Sequence, residues 1–150
     1  MDTLSFLRLV LPEQGLYLLA VPAKFQKNGE THNYHRHLPF TDIDAMAQTA
    51  LAVSCDREDP INVFFALSTV KEDFTALKKA QRDAQGVKVR GGSNSDRTRA
   101  FWLDLDVGAD PHKYATQGEA AEALRAFCAA MSLPRPYVTS SGGGLHVYWP

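Results

Sequence analysis

The chain has 150 residues, with 16 Lys and Arg against 17 Asp and Glu, giving a net charge of -1. The length allows a sizeable core, and 45% hydrophobic with 22% charged residues is typical of a soluble globular protein. The charge balance excludes a globally basic surface, and no apolar run reaches the roughly 18 residues of a membrane span. We therefore expect a cytoplasmic protein with no membrane partner.

Residues 1–89 are predicted to form a small α/β module. Apolar runs of β-forming residues indicate strands, and helical spacing of apolar residues after a capping Thr or Asp indicates a helix. The predicted elements are a strand over Leu16–Val21, a helix after Thr41 or Asp42 with Ile43, Met46, Ala47, Ala50 and Leu51 on one face, a buried strand over Ile61–Leu67 and a short helix over Ala76–Ala84. Cys55 and Cys128 fall in helical patterns, so we expect buried thiols and no disulfide.

Three histidines, His32, His35 and His37, lie in the polar stretch Thr31–His37, which we expect to be a solvated loop. Two alternatives remain open. One is contact with nucleic acid. The other is a metal held by His35 and His37, whose H-x-H spacing is shared with rolling-circle replication nucleases.

Residues 90–98 are rich in Gly, Ser, Asn and Asp, which predicts an exposed, flexible loop between two parts of the chain. Arg90, Arg97 and Arg99 flank this loop. Basic residues interleaved with flexible ones suit contact with phosphate groups, so we interpret the three arginines as candidate nucleic-acid-binding residues. An ordinary solvated surface is the alternative.

The strand predicted over Ala100–Val107 carries a pair of acids, Asp104 and Asp106. Side chains alternate along a strand, so the two acids share one face. Like charges at this spacing repel unless a cation neutralises them, and Mg²⁺ is a hard cation that prefers oxygen ligands. The alternative is two solvated acids at a strand end. The apolar residues of the other face, expected to point to the core, are Phe101, Leu103, Leu105 and Val107.

The order of elements after this strand indicates an α+β fold. Thr116 and Glu119 form a capping box at the start of a helix that ends before Pro134. Strands are predicted over Pro136–Thr139 and Leu145–Trp149. Strand, helix, strand, strand is the order of the first half of a ferredoxin-like or RRM-like unit.

A serine-glycine turn, Ser140–Gly144, joins the last two strands. Consecutive glycines let backbone N–H groups approach an anion closely, as in phosphate-binding nests. His146 follows in the next strand, where an imidazole can donate to a phosphate oxygen. A flexible hairpin with a half-exposed histidine is the alternative.

Together these segments resemble the archaeo-eukaryotic primase superfamily. The family's first motif is an acid-x-acid pair on an apolar strand, matched by Asp104 and Asp106. Its second is a small residue, a spacer and a histidine after a glycine-rich turn, matched by Gly144-Leu145-His146. Residues 99–150 look most like the primase-polymerases of phages, plasmids and other mobile elements, with Lys113–Thr116 and Leu133–Pro136 adding to the likeness. The N-terminal part is similar more loosely, through Asn62–Phe65.

The resemblance implies template-directed nucleotidyl transfer on an RRM-like palm, with an NTP or dNTP as substrate and single-stranded DNA as template. Mg²⁺ or Mn²⁺ is the implied cofactor, held by Asp104 and Asp106. His146 would complete the catalytic set by contacting the phosphates of the nucleotide. The further residues interpreted as nucleotide-binding are Ser141, Gly142, Gly143, Gly144 and Lys113.

The family's third motif, a further metal-binding acid, is expected beyond Pro150. Residues 99–150 are therefore interpreted as an incomplete palm, expected to be inactive alone. A downstream helicase domain or partner is common in the family. Two other classes of function stay open: a rolling-circle-type nuclease that uses His35 and His37, and a non-catalytic module that binds nucleotide or nucleic acid.

Overall fold

The computed structural model describes residues 1–55 and 62–150, which divide into unit 1, Met1–Arg99, and unit 2, Ala100–Pro150. Both units combine helices with small antiparallel sheets, which confirms the predicted α+β class. Among the described residues, no helix has the length and apolar character needed to cross a membrane.

Unit 1 begins with helix α1, Thr3–Val10, which Asp2 caps by accepting a hydrogen bond from the Ser5 N–H at 2.9 Å. A long antiparallel hairpin of β1, Tyr17–Lys27, and β2, Glu30–Phe40, follows. Asn28 and Gly29, with φ of 53° and 81°, form its turn, because a tight hairpin turn needs left-handed residues there.

The remainder of unit 1 completes two sheets. Helix α2, Ile43–Cys55, packs on α1, and Asp42 accepts a hydrogen bond from the Asp44 N–H at its start. Strand β3, Phe64–Phe65, joins the hairpin in the order β2-β1-β3. Strand β4, Ser68–Val70, pairs with β5, Ser95–Thr98, and helix α3, Lys79–Gln85, lies between them in the chain. The core includes Leu7, Val10, Leu11, Leu18, Leu19, Met46 and Val70.

Several predictions for unit 1 need correction. The histidine-rich stretch is not a loop: it belongs to β2, whose backbone pairs with β1 along its whole length. In the predicted strand over Ile61–Leu67, Ile61 lies outside the described residues and only Phe64–Phe65 is extended, with Phe64 46% exposed. The thiol of Cys55 is exposed and that of Cys128 is half-buried, so neither is the buried thiol expected.

The segment 90–98 is also more structured than a turn-rich loop. Its first part forms a single 3-10 turn over Gly92–Asn94, and its second part is strand β5. The buried Asn94 amide exchanges hydrogen bonds with the backbone of Glu72 and donates to the Val89 carbonyl. A buried polar side chain with three partners fixes this segment to its neighbours.

Unit 2 follows the predicted order of strand, helix, strand, strand. Its elements are β6, Phe101–Asp106; α4, Gln117–Ala130; β7, Tyr137–Ser140; and β8, Gly144–Trp149. Strand β8 lies between β6 and β7 and is antiparallel to both. Strands β6 and β7 are therefore parallel, linked by α4 and separated by the inserted β8. This arrangement is a split β-α-β unit.

One face of the unit 2 sheet packs against α4. Ala120 and Leu124 of the helix meet Leu145 and Val147 of β8, and Leu105 packs beside them. The prediction that all the apolar residues of β6 face the core is wrong at its start, since Phe101 is 83% exposed and Leu103 is 38% exposed. The opposite face carries the candidate site.

Candidate functional site

Asp104 and His146 face each other across the central strand pair of unit 2. The two residues are direct partners in the β6–β8 register, and directly paired residues project to the same face of an antiparallel sheet. His146 Nε2 lies 3.6 Å from Asp104 Oδ1. Both side chains are close to half exposed, at 42% and 48%. The pair combines an anionic oxygen with a ring nitrogen at a surface that a ligand can reach.

Asp106 continues this row at the end of β6. It lies two residues beyond Asp104 on the same face, a rise of about 7 Å along a strand. Lys113 Nζ lies 3.7 Å from Asp106 Oδ2. Each acid thus has a nitrogen-bearing side chain beside it, and Lys113 brings a positive charge next to Asp106.

The turn after β6 positions Lys113. The Tyr114 N–H donates to the Asp106 carbonyl and the Gly108 N–H donates to the Tyr114 carbonyl, which folds the chain back beside the strand end. Asp110 accepts a hydrogen bond from the His112 N–H at 2.8 Å. Asp110 therefore serves the turn, as a residue before a proline in such a position is expected to do.

Gly144 stands opposite Asp106 and leaves that carboxylate uncovered. A Cβ at this position would overlap the Leu105 carbonyl oxygen and would lie 3.2 Å from the Asp106 Cα. The buried backbone of Gly144 can approach β6 this closely only because it has no side chain. The glycine thus keeps the end of the sheet open above Asp106.

The serine-glycine turn is exposed and only partly engaged in internal hydrogen bonds. The Ser141 N–H donates to the Gly144 carbonyl, and the Val107 N–H donates to the Gly143 carbonyl. Gln117, in the first turn of α4, donates to Ser140 Oγ at 2.9 Å, so the helix start holds the turn. A Cβ at Gly142 or Gly143 would meet nothing within 4 Å, which leaves space for a ligand.

A row of aromatic side chains lies next to the Asp104–His146 row on the same face of the sheet. Trp102, Tyr148 and Tyr137 are register partners across the three strands, with Trp102 54% and Tyr137 45% exposed. Burial raises the pKa of Tyr148. A hydrogen bond with Thr139 lowers this pKa, and the nearby Asp104 charge raises it further. The sequence alone did not predict that Tyr137 and Thr139 lie on this face, because the face depends on the register of β7 with its neighbour.

The three candidate arginines lie in unit 1. Arg97 forms an ion pair with Asp96 at 3.3 Å, and Arg99 forms one with Glu13 at 3.6 Å. Arg90 is exposed and contributes positive potential at His37. Within unit 1, two of the three candidate cations are therefore already partly neutralised by a neighbouring acid.

The histidines of β2 differ in their surroundings. His35 meets the ring of Phe64 edge to face at 5.5 Å. His37 Nε2 is shielded from solvent and lacks a hydrogen-bond partner among the described residues. Burial lowers the pKa of His37, and the charges of Arg90, His35 and Arg82 lower it further. Because His37 Nε2 is shielded from solvent, the ring nitrogens of His35 and His37 are not both presented at an open surface.

Within residues 1–55 and 62–150, no group of three or more His, Cys, Asp or Glu side chains is arranged to hold a metal ion. Asp104 and Asp106 offer the oxygen ligands that a hard cation such as Mg²⁺ prefers, and such an ion takes one or two carboxylates and completes its shell with water and substrate phosphates. Comparisons of the chain with protein-family models, with curated proteins and with solved structures found no match.

Proposed function

We propose that unit 2 is the nucleotide-binding part of a metal-dependent nucleotidyltransferase that makes nucleic acid on a single-stranded DNA template. The observation that carries this proposal is the cross-strand pair of Asp104 and His146, with Asp106 on the same open face beside the glycine turn. At this end of the sheet the two aspartates offer oxygen ligands for a metal, and His146 offers a hydrogen-bond donor for a phosphate group. The glycine turn leaves the backbone open to a ligand.

The topology of unit 2 supports the same proposal. A split β-α-β unit with a third strand inserted in the middle is the first half of a ferredoxin-like arrangement. Primase palms are of this RRM-like kind, according to the resemblance of residues 99–150. Because this topology is common to proteins of many functions, the site residues, and not the fold, carry the argument.

Asp104 and Asp106 are the residues that would hold Mg²⁺ or Mn²⁺. Their oxygen donors and their exposure suit a cation that retains water and binds phosphate. When bound, such an ion neutralises charge on the phosphate that is transferred. Lys113 Nζ, 3.7 Å from Asp106, offsets part of the charge of that carboxylate.

The other side chains bind and orient the triphosphate. His146, held beside Asp104, donates to a phosphate oxygen, and Lys113 is long enough to turn from Asp106 towards the same group. The exposed Ser141 hydroxyl and the open backbone at Gly142 and Gly143 allow the phosphates to approach the sheet edge.

Nucleotide binding and synthesis test the proposal separately. Nucleoside triphosphate binding with Mg²⁺ is measured by calorimetry on this chain, and primer synthesis or extension is measured on a single-stranded template with a longer protein that supplies the third acidic motif implied by the resemblance. Asp104→Asn or Asp106→Asn should abolish synthesis, and His146→Ala should weaken nucleotide binding roughly 10- to 100-fold, the equivalent of a charged hydrogen bond.

Asp110→Asn is the matched control, because Asp110 is a nearby acid that serves only the turn. It should leave binding and synthesis unchanged. Metal-dependent binding without synthesis in a protein that also carries the third acidic motif would favour a non-catalytic nucleotide-binding module. Unchanged binding in all three site variants would refute the assignment.

A further inference from the structure

The β1–β2 hairpin extends well beyond the part of unit 1 that packs against it. Strand β3 pairs only with Leu19 and Ala20 of β1, and the buried run of β1 ends at Val21. The outer half, from residue 22 to residue 35, is exposed over most of its length. Its conformation therefore depends on the hairpin ladder and on contacts between its own side chains.

An aromatic cluster lies on one face of this outer half. Phe25 and His32 are direct partners and stack with ring centroids 5.1 Å apart at 21°. Tyr34, in the next pair towards the core on the same face, meets Phe25 edge to face at 5.6 Å. Phe25 is 46% exposed and Tyr34 is 44% exposed, so flat ring surface faces solvent.

Basic side chains border this cluster at both ends. The strand alternation and register put Lys27 near the hairpin tip and Arg36 near the core on the same face as the three rings. Among the described residues, neither forms an ion pair, so both charges are available to a ligand. One acid, Glu30, shares the face, 3.9 Å from His32.

We propose that this hairpin face, formed by Phe25, His32, Tyr34, Lys27 and Arg36, binds single-stranded nucleic acid. Rings that are flat, exposed and spaced along a strand stack on unpaired bases, and flanking cations follow the phosphate backbone. The cations at both ends favour a polyanion over an apolar peptide. The proposal rests on unit 1 alone and is independent of the chemistry proposed for unit 2.

Fluorescence anisotropy with a labelled oligothymidine of about 15 nucleotides, within the known range of single-strand site sizes, tests this surface. Loss of two stacking contacts in Phe25→Ala/Tyr34→Ala should weaken binding at least roughly 10-fold. Phe127→Ala, which removes an equally exposed ring from α4, is the control and should bind as the unaltered chain does.

The charges give a second readout that does not depend on the integrity of the aromatic cluster. Lys27→Gln/Arg36→Gln should reduce the slope of log affinity against log salt by about 0.7 for each lost phosphate contact. Wild-type affinity in the aromatic variant, or an unchanged salt slope in the charge variant, would overturn the proposal. So would a concentration-dependent dimer lost in the aromatic variant, because that would make a second copy the occupant.

Asp104→Asn separates the two proposals. It should lose metal-dependent nucleotide binding while it retains oligonucleotide binding. Failure of the hairpin variants therefore counts against the hairpin alone, and failure of the Asp104 variant counts against the unit 2 site alone.

Discussion

Gly144→Ala tests whether the open sheet edge above Asp106 depends on close backbone approach. The added Cβ would overlap the Leu105 carbonyl oxygen and lie 3.1 Å from the Leu105 carbonyl carbon, closer than the usual contact of about 3.5–4.0 Å. Strand β8 has partners on both sides, so it cannot shift without disturbing the ladder. Overpacking destabilises the folded chain by about 1–3 kcal/mol. Alanine also makes the unfolded chain less flexible, which offsets about 0.4–1 kcal/mol, so we expect the free energy of unfolding to fall by about 1–2 kcal/mol.

Urea unfolding followed by tryptophan fluorescence measures this loss in unit 2, because Trp102 and Trp149 are the only tryptophans of the chain and both belong to that unit. Gly143→Ala is the matched control, since its Cβ would meet nothing within 4 Å. It should change the free energy of unfolding by less than about 0.5 kcal/mol. Equal stabilities of the two variants would refute the close-approach reasoning.

Two further predictions concern unit 1. The pKa of His37 is lowered from its ordinary value of 6.5, so the unfolded chain binds a proton that the folded chain does not, and stability falls as pH drops through 6.5 towards the folded value. His37→Gln should flatten this pH dependence, measured by urea titrations at several pH values. The control His112→Gln, at an exposed histidine, should leave it unchanged. An equal dependence on acid pH in both variants would contradict His37 as its source. Asn94→Ala should lower the free energy of unfolding by about 1–3 kcal/mol, because buried backbone groups lose their partners, while Ser93→Ala in the same turn should have little effect. Equal stability of the two turn variants, measured by circular dichroism, would count against Asn94 as an anchor.

The elements of unit 2 were predictable because local signals agreed with the tertiary packing. The alternation of Phe101–Asp106 and the capping box of Thr116 and Glu119 both specify the elements that form, and Thr116 does accept the Glu119 N–H bond. Alternation also put Asp104 and Asp106 on one face. The resemblance implied that His146 joins the two acids, but its direct pairing with Asp104 was not predictable from the residues, because register between strands is a property of the assembled sheet.

The missed elements of unit 1 have a physical reason too. Strand β2 is exposed on both faces over most of its outer half, so it lacks the alternation of apolar and polar residues by which half-buried strands are recognised. The Asn28-Gly29 pair was the available signal, since that dipeptide favours the hairpin turn. Strand β5 was missed because its turn-forming residues are held extended by pairing with β4, a non-local contact.

The most direct test of the central claim is a Mn²⁺ titration of the labelled protein followed by nuclear magnetic resonance, with a nucleoside triphosphate present. The account predicts paramagnetic broadening of backbone signals centred on Asp104, Asp106 and Gly144–His146. This broadening should be lost in Asp104→Asn/Asp106→Asn and kept in Asp110→Asn. Broadening centred instead on His35 and His37, or none near the two aspartates, would contradict the assignment of a metal and nucleotide site to unit 2.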